Sequence, residues 1–129
     1  MDTSKEYVEM CRKAVEIQQL KQYVDGCYCS DVYSGKQYVS IVCNSCDIEY
    51  GGDMKFSDTA VWLPRQDQLQ EIMEVSGIDD LESIFHAWYQ EILIDKGYKK
   101  TTFEQLWLAF VMKEKFNKIW NGKDWLEVR

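Results

Sequence analysis

Four of the chain's five cysteines form two close pairs, Cys27-x-Cys29 and Cys43-x-x-Cys46. Two such pairs could supply the four thiolates of a tetrahedral structural zinc, since Zn²⁺ takes soft sulfur ligands in a closed shell. The fit to that chemistry is partial. C-x-C is tighter than the usual C-x₂₋₄-C knuckle, and no glycine follows Cys46 to help the backbone turn round a metal. The competing reading makes Cys43 a small hydrophobe at the end of an apolar strand and the others core or surface thiols. Cys43-Asn44-Ser45-Cys46 also has the spacing of a redox pair. That chemistry wants a helix N-terminus inside a βαβ unit, where the dipole lowers a thiol pKa. The residues around it read as a strand and a turn. Cys11 falls on the apolar stripe of a helix and reads as packing.

His86 is the only histidine, which excludes any two-His metal site or His-based triad that needs a second imidazole. It flanks an apolar helical stripe and reads as a boundary residue. The carboxylate pairs Glu71/Glu74, Asp79/Asp80 and Glu91/Asp95 have helical or adjacent spacing. A glycosidase needs two carboxyls opposed across a cleft, and spacing along one helix does not supply that. Of the five tryptophans, Trp88, Trp107 and Trp120 fall on core stripes, while Trp62 and Trp125 flank helix ends and read as freer. Arg65, Gln66, Asp67, Gln68 and Gln70 place a dense polar set at one helix start. Trp62, Arg65, Gln66, Gln68 and Trp125 are therefore the candidate binding surface, aromatic and arginine anchors being typical of recognition. A well-capped surface helix has the same composition.

The elements that must position these residues are read from periodicity. Thr3-Ser4-Lys5-Glu6 fits a capping box, and Val8, Cys11, Ala14, Val15, Ile17, Leu20 and Val24 recur at helical steps. This predicts a helix over residues 4–23, stopped at Asp25-Gly26. Residues 28–33 and 36–43 read as strands from their Tyr, Val and Ile content. Residues 48–50 and 54–56 flank Gly51-Gly52-Asp53 as a hairpin. Pro64 suits a first helical position, opening a helix with Leu69, Ile72 and Met73 inward. Asp79-Asp80-Leu81-Glu82 opens another, with Leu81, Ile84, Phe85, Trp88 and Ile92 inward. Thr101-Thr102-Phe103-Glu104 opens the last, closed by Asn121-Gly122 and carrying Phe103, Leu106, Trp107, Phe110, Val111, Phe116, Ile119 and Trp120 on its apolar side. The expected fold is one α+β domain over residues 1–129: an N-terminal helix, a small antiparallel sheet of three or four short strands, then three helices.

Composition bounds the function. The 129 residues are 46% hydrophobic and 29% charged, ordinary for a globular protein and too apolar for disorder. Fifteen Lys and Arg against 22 Asp and Glu leave a net charge of -7, which opposes binding to DNA or to anionic membranes. The charge is uneven: residues 1–95 carry -11 and residues 96–129 carry +4. No run approaches the ~18 apolar residues of a membrane span, and the start MDTSKEYVEM lacks a signal-peptide core. The expectation is a cytoplasmic protein with no membrane partner.

Residues 61–70 (VWLPRQDQLQ) and 104–115 (EQLWLAFVMKEK), the latter followed by FNKIWNGKDW, resemble a family of small uncharacterised proteins encoded in phages and prophages of Gram-positive bacteria. The likeness covers residues 61–125 and, more loosely, the first helix; the cysteine pairs lie outside it. The resemblance implies a cytoplasmic accessory protein and no known activity. Together these observations lead to the expectation of a non-enzymatic protein that binds a host or phage protein. The alternative is a small zinc module on Cys27, Cys29, Cys43 and Cys46. An enzyme is a third option, as a hydrolase with paired carboxylates. An apolar tail at Trp125, Leu126 and Val128, with basic Lys123 and Arg129, is expected to fold back on the acidic sheet region or to dock on a second copy, giving a monomer or weak homodimer.

Overall fold

Ser4 caps the first helix: in extended backbone, it accepts the Tyr7 N–H at 3.2 Å. The expected cap was Thr3, one residue earlier; either hydroxyl could serve, and Ser is the stronger cap. In this computed structural model, residues 2–20, 28–33, 36–41, 61–75, 81–96 and 102–128 are described. They are mixed helix and strand. The chain divides into two compact units, one of residues 3–64 and one of residues 1–2 with 65–129.

In the unit of residues 3–64, the expected continuous helix is broken. Helix α1 spans Lys5–Lys13 and a short α2 spans Val15–Gln18. Between them Ala14 leaves the helical region (φ -82°, ψ 73°) and takes the conformation of an inverse γ-turn. Its N–H is shared by the carbonyls of Met10 and Cys11. Because helical register is lost there, Val15 and Leu20, expected inward, are exposed. Val8, Cys11, Ala14 and Ile17 are buried as the periodicity requires.

The sheet of this unit has the order β2-β1-β3, built from β1 (Tyr28–Tyr33), β2 (Lys36–Ile41) and β3 (Val61–Leu63), all antiparallel. β1 matches the first expected strand and β2 the second as far as Ile41, residues 42 and 43 lying outside the described residues. The hairpin expected around Gly51-Gly52-Asp53 lies outside the described residues. β3 was not foreseen as a strand: three residues are too few to show a period, and all three are buried. Alternate residues of an antiparallel edge strand turn their N–H and C=O away from the neighbour. Here side chains meet those groups. The Gln18 carboxamide accepts the Trp62 N–H at 2.8 Å and donates to the Trp62 carbonyl at 2.9 Å. The Tyr7 hydroxyl donates to the Pro64 carbonyl at 2.6 Å, and Pro64 has no N–H to satisfy. The Gln18 amide also donates to the Cys11 carbonyl at 3.1 Å, on the last turn before the break.

In the other unit, helices α3 (Gln66–Val75), α4 (Leu81–Lys96) and α5 (Phe103–Phe116) precede a hairpin of β4 (Lys118–Trp120) and β5 (Trp125–Glu127). Pro64 precedes α3 instead of opening it, since the helix begins at Gln66. The Asp79-Asp80 start signal of α4 lies outside the described residues. Thr102, not Thr101, caps α5, accepting the Gln105 N–H at 3.3 Å. The Gln105 side chain and the Thr102 hydroxyl both donate to the Asp2 carboxylate, at 2.8 Å and 2.5 Å. Residues 105–112 of α5 are all buried, as a helix packed on several sides requires; α3, α4 and β4 all contact it. Phe85 of α4 lies parallel to Trp107 at 4.1 Å, and Phe110 meets both rings edge-on. Ile84 and Phe103, both expected inward, are exposed at 37% and 61%.

The end of the chain departs most from expectation. Helix α5 stops at Asn117, whose left-handed backbone (φ 56°, ψ 43°) lets its N–H return to the Lys113 and Met112 carbonyls. The Asn121-Gly122 pair, expected as a helix stop, is the turn between β4 and β5. The Asn121 carboxamide oxygen accepts the N–H of Lys123 and of Asp124 at 2.8 and 2.7 Å. Gly122 supplies the positive φ of +98°. Trp120 and Trp125 face each other across the strands at 5.1 Å. Trp125, Leu126 and Val128 are therefore not a free tail: the first two pair with β4, and the Val128 N–H donates to the Asn117 carbonyl at 2.8 Å.

Two substitutions test these local devices. Gln18→Ala takes their partner from the N–H and C=O of Trp62, while the Cys11 carbonyl keeps the Ala14 N–H, and should cost about 2–3 kcal/mol, read as a lower denaturant midpoint. Gln19→Ala, exposed one residue on, should change stability by less than about 0.5 kcal/mol. At Gly122 a Cβ would meet nothing within 4 Å, so the cost of Gly122→Ala is backbone strain alone. It should be about 1–2 kcal/mol in thermal unfolding; an unchanged Tm would contradict the turn.

Candidate functional site

The polar start of α3 is where the sequence places most of the candidate binding residues, and the structure does bring Arg65, Gln66 and Gln68 together. It also shows what they do. The Gln68 side-chain oxygen accepts the Arg65 N–H at 2.9 Å, the backward half of a capping box. The Arg65 guanidinium grips Asp67 through Nε and Nη2 at 2.9 and 3.1 Å. Those hydrogen bonds, then the guanidinium's charge and backbone donors at Asp67 and Gln68, hold the Asp67 carboxyl below the usual Asp range against a small burial penalty. Arg65 and Gln68 thus carry local helix-capping bonds, and Gln66 is half-buried in the first turn.

The two tryptophans do not join this group. Trp62, expected to be freer, is 8% exposed in β3, and among the described residues its indole N–H has no hydrogen-bond partner. Its aromatic ring is core. Trp125 is half-buried beside Trp120 on the hairpin. Of the candidate zinc ligands, Cys29 is buried in β1, and Cys27, Cys43 and Cys46 lie outside the described residues. Among the described residues, no group of three His, Cys, Asp or Glu side chains stands close enough to hold a metal. Cys11 is fully buried, as its place on the first helix's stripe implies. His86 is exposed, its Nε2 3.0 Å from the Gln90 amide nitrogen.

The exposed residues of the two helices share a different property. Asp67, Glu71 and Glu74 on α3 and Glu82 and Glu91 on α4 are exposed. Between Arg65 and Lys96 there is no Lys or Arg, against eight Asp and Glu. Each carboxylate alone is an ordinary solvated residue; the signal is the thirty-residue absence of any fixed cation between them. The division of charge into a -11 and a +4 segment hid it, because the acids of residues 1–65 are mixed with seven Lys and Arg.

Among the described residues, no helix is long and apolar enough to cross a membrane. Compared with known protein families, curated proteins and solved structures, the chain matches none.

The ion pair at α3 has a measurable pH signature. A carboxyl whose folded pKa is depressed adds stability above its unfolded pKa and loses it as pH falls through the folded value. Arg65→Gln should therefore move the Asp67 carboxyl titration, followed by NMR, up toward the ordinary Asp range. Stability near neutral pH should change by less than about 1 kcal/mol, because the Asp67 side chain is 67% exposed. An Asp67 titration that stays put would contradict the pairing.

Proposed function

We propose that this protein is a non-enzymatic accessory protein of the phage or prophage kind that acts by binding another protein, and that the partner presents a basic surface. The observation that carries the reading is the acidic character of α3 and α4 beyond the Arg65–Asp67 pair, with Glu71, Glu74, Glu82 and Glu91 exposed on helices that hold no cation before Lys96. Such a surface draws a cationic partner at long range and repels nucleic acid and anionic lipid. The likeness of residues 61–125 to phage and prophage proteins supports a partner in the host cell or among phage proteins. The polar start of α3 adjoins the same surface, with Arg65 neutralised by Asp67.

Immobilised protein exposed to a lysate of a Gram-positive bacterium tests this. Retained protein should be basic and should elute between about 0.1 and 1 M salt, since contacts between exposed charges are screened over that range. The variant with Glu71, Glu74, Glu82 and Glu91 all changed to Gln should retain it at least tenfold less while keeping the parent's circular-dichroism spectrum. Retention that ignores both salt and the four substitutions would overturn the acidic surface, and no retention from several hosts would overturn the binding role.

A further inference from the structure

We draw no further inference here: the strongest candidate, the outward face of α4 around the exposed Ile84 and Ala87, belongs to the acidic surface already proposed for partner binding, and nothing in the structure shows what covers its apolar residues.

Discussion

The carboxamide of Gln18 is the constraint on which the unit of residues 3–64 depends. A side-chain carboxamide carries an acceptor oxygen and two N–H donors, one of them on the same side as the oxygen, so it can meet the N–H and C=O that one residue presents at a sheet edge. Gln18 does this for Trp62 and uses its second N–H on Cys11. The bond to Cys11 goes with the loss of helical register at Ala14. In an unbroken helix the Cys11 carbonyl would take the Val15 N–H; here it takes Ala14 and Gln18. The break, the buried edge strand and the amide are one solution to one problem. A sheet edge with unmet backbone groups invites pairing with other chains, and this edge is met side chain by side chain.

The other unit is organised by the opposite means. Helix α5 has no polar face over residues 105–112, so its burial comes from apolar neighbours on several sides, with the parallel rings of Phe85 and Trp107 its closest aromatic contact. Its one buried polar side chain, Gln105, is hydrogen-bonded to Asp2, in line with the cost of leaving a buried amide unmet. Apart from the buried Asp2 carboxylate, which Gln105 and Thr102 satisfy, the described carboxylates of α3 and α4 stand exposed, where each contributes little to stability.

Much of this was legible in the residues, and the failures have physical causes. Helices α3, α4 and α5 follow from the spacing of Leu69 and Met73, Phe85 and Trp88, and Leu106 and Phe110. The caps were displaced by one residue at both Ser4 and Thr102, because two adjacent hydroxyls offer the same chemistry and only tertiary contacts choose between them. Asn121-Gly122 serves either as a helix stop or as a hairpin turn, since both need positive φ from glycine. What decides is Asn117, which leaves the helix four residues sooner and has no glycine to announce it. The break at Ala14 was hidden because alanine is the strongest helix former, and the bonds that accompany it run from Gln18 to Trp62, 44 residues away. The candidate site was less legible still. Trp62 has the composition of a surface anchor and the burial of a core residue, while the acidic helices show only as an absence of lysine and arginine.

The bond between Asp2 and Thr102 joins residues 100 apart in the chain. Closing such a span in an unfolded chain costs about 4 kcal/mol beyond a constant, from the logarithm of its length. The β4–β5 hairpin, closed across a few residues, forms in about 1–10 μs. One unit is therefore discontinuous in sequence, with residues 3–64 spliced into it after its second residue. The contacts of Asp2 are thus of the longest sequence separation in this unit and those of the hairpin among the shortest, the kind of difference that sets how fast contacts can form.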